Sequence, residues 1–482
     1  IFRNTGDALQ IFSNDGVLID NNTIYSPSDD SIRIENGSSN TTLRNNIIWN
    51  EAGFGVYVSN NSQPGFDSDY NNLFTSGSGQ IVWYQKAFDD LLNWQIEARQ
   101  DLNSIGSTEI DPTLDQPQFV DLANDNYRIQ SGATTISSGD PSYDFSDEPG
   151  PSGGPNGLRI NQGAFGNTAD ATSSPASYLR ILSPNFYVDY NVDVARRVVW
   201  EAFNVTGNVR LEVHADGGSK LADITITGVD NQPAEVASQE PRIGSYFWSP
   251  QQDGITPDTA NRYFLRLVSV SDGTVSDDNR EPFSVPLDNN DYYLNDDSTT
   301  DDAFTTDIGN NRNTGRTAGD PKAIFPALQQ NYQLDANQTV YADTGYYMHV
   351  RDLVISADGT TGNDQAFTLT GPSAEGVEVI FDRANERSGT RSLEIIDSDF
   401  LTFENLTLQG GEQGMIIRNG SVFFTGRNLE ISNHPDIGVS VTGSSDNLTL
   451  DGLTVIGNGG HGIRVDSTAL ELLNNEIGNN TE

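Results

Sequence analysis

Gly414-Met415-Ile416-Ile417, Gly438-Val439-Ser440-Val441 and Gly462-Ile463-Arg464-Val465 repeat one word, with the glycine returning every 24 residues. Near the other end the word reads Ala8-Leu9-Gln10-Ile11, Ser31-Ile32-Arg33-Ile34 and Gly55-Val56-Tyr57-Val58, at steps of 23 and 24 residues. A second word sets an apolar residue three positions before an asparagine, as in Ile19…Asn22, Leu43…Asn46 and Leu472…Asn475. Two interlocked words at one period are a specific sign of stacked repeats. Alternation within the first word sends every second side chain to one face of a short strand. Stacking then buries ladders: Met415, Val439 and Ile463 form one, and Ile417, Val441 and Val465 form its neighbour. Asn22, Asn46 and Asn475 fall in equivalent turns, where a side-chain amide satisfies backbone groups of the next coil. A leucine-rich repeat would need a denser leucine pattern than this.

These words resemble the right-handed parallel β-helix, the pectin-lyase-like fold. The resemblance implies an all-β solenoid whose coils pair strand on strand. Residues 288–482 resemble the opening of secreted bacterial β-helix proteins. Asp291-Tyr292-Tyr293-Leu294 leads into an acidic loop, then a short helix near Pro321–Gln330, then the strand Gln338 to Tyr347. Residues 1–172 resemble the end of such a domain. An amphipathic helix is expected over Ala87–Gln100, with Phe88, Leu91, Leu92 and Ile96 at helical spacing. The tail that follows, through Leu158-Arg159-Ile160-Asn161-Gln162-Gly163, is similar to the closing segment grouped as anchor-type repeats. An end therefore precedes a start.

Between the two parts, residues 173–287 carry short alternating strands such as Val198-Val199-Trp200, Val209 to Val213 and Tyr263 to Leu267. That pattern reads as an immunoglobulin- or fibronectin-like sandwich. Trp200 and Trp248 each end an apolar strand and are expected in its core. From Asn475 through Glu482 and on to Asn22 the spacing is one coil plus a short insertion. The expectation is that Glu482 runs into Ile1 with the ladder unbroken, in a tandem or end-to-end array whose partners are copies of the chain itself.

Composition narrows the function. The chain has 482 residues, 26 Lys+Arg against 68 Asp+Glu and a formal net charge of -42. Nucleic acid is disfavoured as a partner, because affinity for polyphosphate comes mainly from clustered Lys and Arg. Zero cysteines removes disulfides, thiolate metal sites and cysteine catalysis. No apolar run approaches the roughly 20 residues of a membrane span, so no membrane insertion is expected. The sequence opens on Ile1 without a signal-peptide pattern, which suggests a processed chain or a window of a longer one. The acidity suits a salty or calcium-rich exterior, extracellular or at the cell surface.

The candidate sites are few. On adjacent outward columns Arg33, Glu35, Arg464 and Asp466 would form a charged patch across the expected junction, with His461 beside it. Carboxylates with a histidine are the materials of acid/base attack on a surface polysaccharide. Gly460-His461-Gly462 and Asp29-Asp30-Ser31-Ile32-Arg33-Ile34 resemble fragments of the polygalacturonase family. Their order is reversed here, and that family's further aspartate motif and Arg-Ile-Lys motif are missing. Cross-strand ion pairing on a solvated face is the competing reading and is preferred. Calcium is the one cofactor considered, at Asp296, Asp297, Asp301, Asp302 and Asp307 in the acidic loop. The expectation is a structural protein without catalysis of its own; a polysaccharide lyase, hydrolase or adhesin is the alternative.

Overall fold

In the computed structural model the chain is an all-β parallel solenoid with antiparallel sheets and, among the described residues, two short α-helices. The described residues are all of 1–482 except 152–155, 191–193, 217, 227–241, 259–260, 288, 357–365 and 467–468. The expected boundary at Asp288 lies outside them. Contacts divide the chain into two units. One comprises Ile1–Val188, Asp193–Ile255 and Asn261–Phe283; the other comprises Asp189–Val192, Thr256–Ala260 and Ser284–Glu482.

Parallel ladders occur in both units. In the first, strands Leu9–Phe12, Ile32–Glu35, Phe54–Val58 and Gln80–Tyr84 stack as one face. Leu18–Asp20, Thr42–Arg44 and Asp67–Asp69 form a second face, and Thr23–Ser26, Ile47–Asn50 and Asn72–Thr75 a third. The register is the one the first word implies: Leu9 beside Ile32 beside Val56, with Gln10, Arg33 and Tyr57 outward. In the second unit Met415, Val439 and Ile463 are neighbours, as are Ile417, Val441 and Val465. Met415, Val439, Ile417 and Val441 are fully buried, and the apolar ladders run on as one core from Tyr292 to Val455.

The asparagine turns are also observed, with one correction of direction. Each amide serves the preceding coil. Asn46 accepts the Asn22 N–H at 2.9 Å through Oδ1 and donates from Nδ2 to the Ile19 carbonyl at 2.8 Å. Asn71 repeats this on Asn46 and Leu43, and Asn475 on Leu453 and Leu450. A further ladder at another corner, Asn458 and Asn480, follows the same rule.

At the place of the expected join from Glu482 to Ile1, the first residues are already paired. Ile1–Arg3 already fills the slot beside the strand Thr23–Ser26: Phe2 bridges Tyr25 in parallel, Tyr25 N–H donates to Ile1 O and Arg3 N–H to Tyr25 O. Phe2 rests on Tyr127 at 4.7 Å, and Arg3 binds Asp125 at 2.9 Å. Ile1 precedes Leu9 by the same eight residues that separate Ile24 from Ile32 and Val455 from Ile463. Ile1–Asn4 and Ile477–Asn480 thus occupy the same phase of the coil, and the inserted residues of the expected join are this duplication.

Helix α1 spans Leu91–Ala98, shorter than the expected 87–100, because Lys86–Phe88 pairs antiparallel with Gln80–Tyr84 and takes Phe88 into a strand. Asp90 caps it by accepting the Asn93 N–H, which supplies one orphan donor of the first turn. Helix α2 spans Phe325–Asn331 and buries Phe325 and Leu328 under the first strands of the second unit's core. Beyond α1, the hairpin Phe119–Asp121 and Asn126–Ile129 covers outward Tyr25, Trp49 and Phe74. That is why Thr23–Ser26 and Ile47–Asn50 are buried on both faces.

Strands Tyr178–Ser183, Arg196–Phe203 and Arg242–Trp248 make one antiparallel sheet; Val209–Ala215, Lys220–Ile226, Arg262–Ser269 and Ser276–Asp278 belong to another. Trp200 and Trp248 are fully buried, as expected. Asp277 ties the two sheets together, its carboxylate accepting the Ile181 N–H at 2.7 Å. Burial pushes this carboxyl up to about 6, against the Ile181 hydrogen bond and the nearby Arg280 and Arg180. The folded state therefore holds the proton more tightly than the unfolded chain. Stability contributed here is greatest below about pH 4, falls as pH rises toward 6 and is flat above. Asp277→Asn should remove about 2–3 kcal/mol of pH dependence from that window. Urea titrations of both proteins between pH 4 and 7 read the difference; parallel curves would refute it.

Candidate functional site

The outward face of the first ladder is where the sequence places its densest polar group. Arg33, leaving Ile32–Glu35 between two inward isoleucines, lies with its guanidinium 3.9 Å over the Tyr57 ring one coil on. Its Nη1 reaches Asp30 at 2.7 Å and its Nε reaches Glu35 at 2.9 Å. Glu35 also accepts from Gln10 Nε2 at 2.7 Å, so both of its oxygens are engaged. Tyr57 stacks in turn on Trp83, with ring centroids 6.1 Å apart and planes 6° from parallel, and Phe54 leans on both. The column Gln10, Arg33, Tyr57, Trp83 is thus one continuous contact along the coil axis.

Asp7, Asp29 and Asp30 bring carboxylate oxygens within 4.8 Å of one another, the one such grouping among the described residues. Burial, then the neighbouring Asp30 and Asp29, pushes Asp7 up, with Arg33 opposing. Asp30 Oδ1 accepts the Phe54 N–H at 2.8 Å, and Arg33 also stands 3.9 Å from Asp7. The trio is therefore a charge-compensated turn rather than an open cage. Its signal was in the sequence: Asp7 precedes Asp30 by one period.

The remaining members of the expected patch lie elsewhere. Arg33 and Glu35 belong to the first unit, His461, Arg464 and Asp466 to the second. His461 Nε2 pairs with Glu482 at 3.3 Å. Arg464 and Asp466 are exposed on the last coil, Arg464 in register with Ser440. The other histidines are engaged in their own coils or sheet: His214 with Glu212 at 2.9 Å, His434 buried between the Gly411 and Leu408 carbonyls, His349 stacked on Phe381.

Nor do the acidic-loop residues converge. Asp296 accepts from the Ser298 and Tyr346 N–H groups, Asp302 from Asn295 and Thr305, and Asp307 from the Ile308 N–H. Asp297 and Asp301 are exposed. Asp343, which sequence reasoning passed over, organises the loop by accepting the N–H groups of Ala303, Phe304 and Thr305 at 2.6–2.7 Å. Asp296, Asp302 and Asp307 thus serve separate local hydrogen bonds.

Comparison with known proteins supports the β-helix repeat. The family described as the right handed beta helix region matches residues 1–91 and 373–482, the two stretches that carry the repeat words. No curated protein sequence matches the chain. Among solved structures, the catalytic domain of a GH87 alpha-1,3-glucanase, in complex with tetrasaccharides, aligns at 13% identity over 63% of this chain and 67% of its own. Its TM-score is 0.19, too low to bear on fold or activity. Among the described residues no helix is long and apolar enough to cross a membrane.

Proposed function

We propose that this chain is a structural right-handed β-helix segment of an extracellular or cell-surface rod, joined head to tail with copies of itself and without catalysis of its own. The observation that carries the reading is the open edge of the last coil. Val465, Leu472 and Ile477, in register with the fully buried Val441, Leu450 and Val455, stand at least 42% exposed there. Unpaired strand edges with bare apolar side chains are templates for further strands. The first and last coils also match in kind: three faces follow in the same order, each with an asparagine turn between the second and third. The outward polar residues, spent on cross-coil pairs, support a scaffold rather than an enzyme. The antiparallel sheets are an immunoglobulin- or fibronectin-like sandwich acting as a spacer or lateral contact.

Because Ile1–Asn4 and Ile477–Asn480 share one phase of the coil, joining two copies displaces one of these segments. Electron microscopy of the purified chain is expected to show fibres with one axial repeat per chain, lengthened by deletion of residues 1–6. Discrete particles in both preparations would sink the reading. The same material, incubated with uronate-containing and neutral glycans, should yield no new reducing ends or unsaturated products; their appearance would move the polysaccharide lyase or hydrolase reading to the front.

A further inference from the structure

Phe400 and Phe423 hold equivalent turns on successive coils, since the Phe400 N–H donates to Val422 O and the Phe423 N–H to Asp446 O. The third coil places Asn447 there. All three are left-handed, with φ of 58°, 57° and 55°. Asparagine accepts that conformation, whereas a bulky aromatic is strained in it. Burial does not compensate the strain, because Phe400 is 55% and Phe423 47% exposed. Their rings lie stacked, 4.8 Å apart and 11° from parallel. Strain held at an exposed position without a packing return points toward contact with something else.

The surroundings say what kind of contact. Asp397 and Asp399 share the turn of Phe400, and Asp446 precedes Asn447 on the coil beyond Phe423. Asp446 Oδ1 is buried without a hydrogen-bond partner, and Arg418, the cation on this corner, is held by Glu394 at 2.7 Å. The protein already lays guanidinium groups on aromatic rings elsewhere, Arg33 on Tyr57 and Arg316 at 4.2 Å from both Tyr292 and Tyr332.

We propose that the Phe400–Phe423 pair is a docking platform for a basic partner protein, with an arginine or lysine of the partner laid on the phenyl face and its charge met by the exposed Asp397. Charge complementarity favours this occupant: a basic surface is attracted to a chain of net charge -42. The site is lateral to the coil edges and goes beyond the rod reading, on which it does not depend.

The test compares the native chain with a Phe400→Asn/Phe423→Asn variant, in binding of a fluorescent arginine-glycine repeat peptide at physiological salt and in thermal unfolding. The expected result is at least tenfold weaker peptide binding together with an unchanged or raised Tm, because asparagine fits the left-handed turn. Equal affinity would mean that net charge alone attracts the peptide and would overturn the platform. A lowered Tm, with or without weaker binding, would return the pair to the role of a structural staple and overturn it equally.

Discussion

Asn46→Ala is expected to destabilise the first unit by about 2–4 kcal/mol, far more than its single polar side chain suggests. The residue is fully buried, and its amide links the turn of Asn22 to the strand end at Ile19. Truncation leaves the Asn22 N–H and the Ile19 carbonyl without that partner, and each buried orphan costs about 1–3 kcal/mol. It also takes a donor from Asn71 Oδ1, at 2.9 Å, so the ladder is cut between three coils at once. Asn475→Ala removes the same two hydrogen bonds from the last coil, where the side chain is only half-buried and water replaces them. Its cost should stay within about 1 kcal/mol. Native-state hydrogen exchange of the coils around Asn22 and Leu453 separates the two units. Equal protection losses in both variants would refute the buried-ladder account.

That contrast also shows which features a sequence can disclose. The period, the inward ladders and the asparagine turns were legible because each rests on residues one coil apart. The physical cause, strand stacked on strand, repeats along the chain as it does in space. Arg33 and Glu35 were rightly placed on adjacent outward columns for the same reason. Their joint use was not legible: nothing in their spacing says that Gln10, Asp30 and Tyr57 already occupy them. The pairing of Ile1–Arg3 was not legible either, because it is held by Tyr127 and Asp125, more than a hundred residues away. Helix α1 began late because a strand-pairing preference of Lys86–Phe88 overrode helical spacing that Phe88 satisfied. The left-handed Phe400 and Phe423 broke a turn rule that Asn447 keeps, and only the paired exception reveals them.

The largest single-residue effect should come from a lysine that local pattern left unremarked. Lys322 follows the acidic loop at Pro321, yet its side chain and that of Asp189 are both fully buried, with Nζ 3.2 Å from Asp189 Oδ2. Nζ also donates to the carbonyls of Asn311 and Asn313, which fixes the loop over the strand Asp291–Leu294. The Lys322 backbone holds the same strand, exchanging hydrogen bonds with Tyr293 and Asn295. Removing the ammonium while keeping the carboxylate strands a charge where water cannot reach it. Lys322→Met should therefore cost about 3–5 kcal/mol, the usual penalty for breaking one side of a buried pair. Desolvation makes the intact pair expensive too, so Asp189→Asn/Lys322→Met should recover part of that loss, even though both charges are gone. The two carbonyls orphaned by methionine set the limit of recovery, at about 1–3 kcal/mol each. Urea unfolding of the single and double variants decides the matter. A double variant no more stable than the single one would mean that the lysine acts through the Asn311 and Asn313 carbonyls, as a loop clasp, and not through the ion pair.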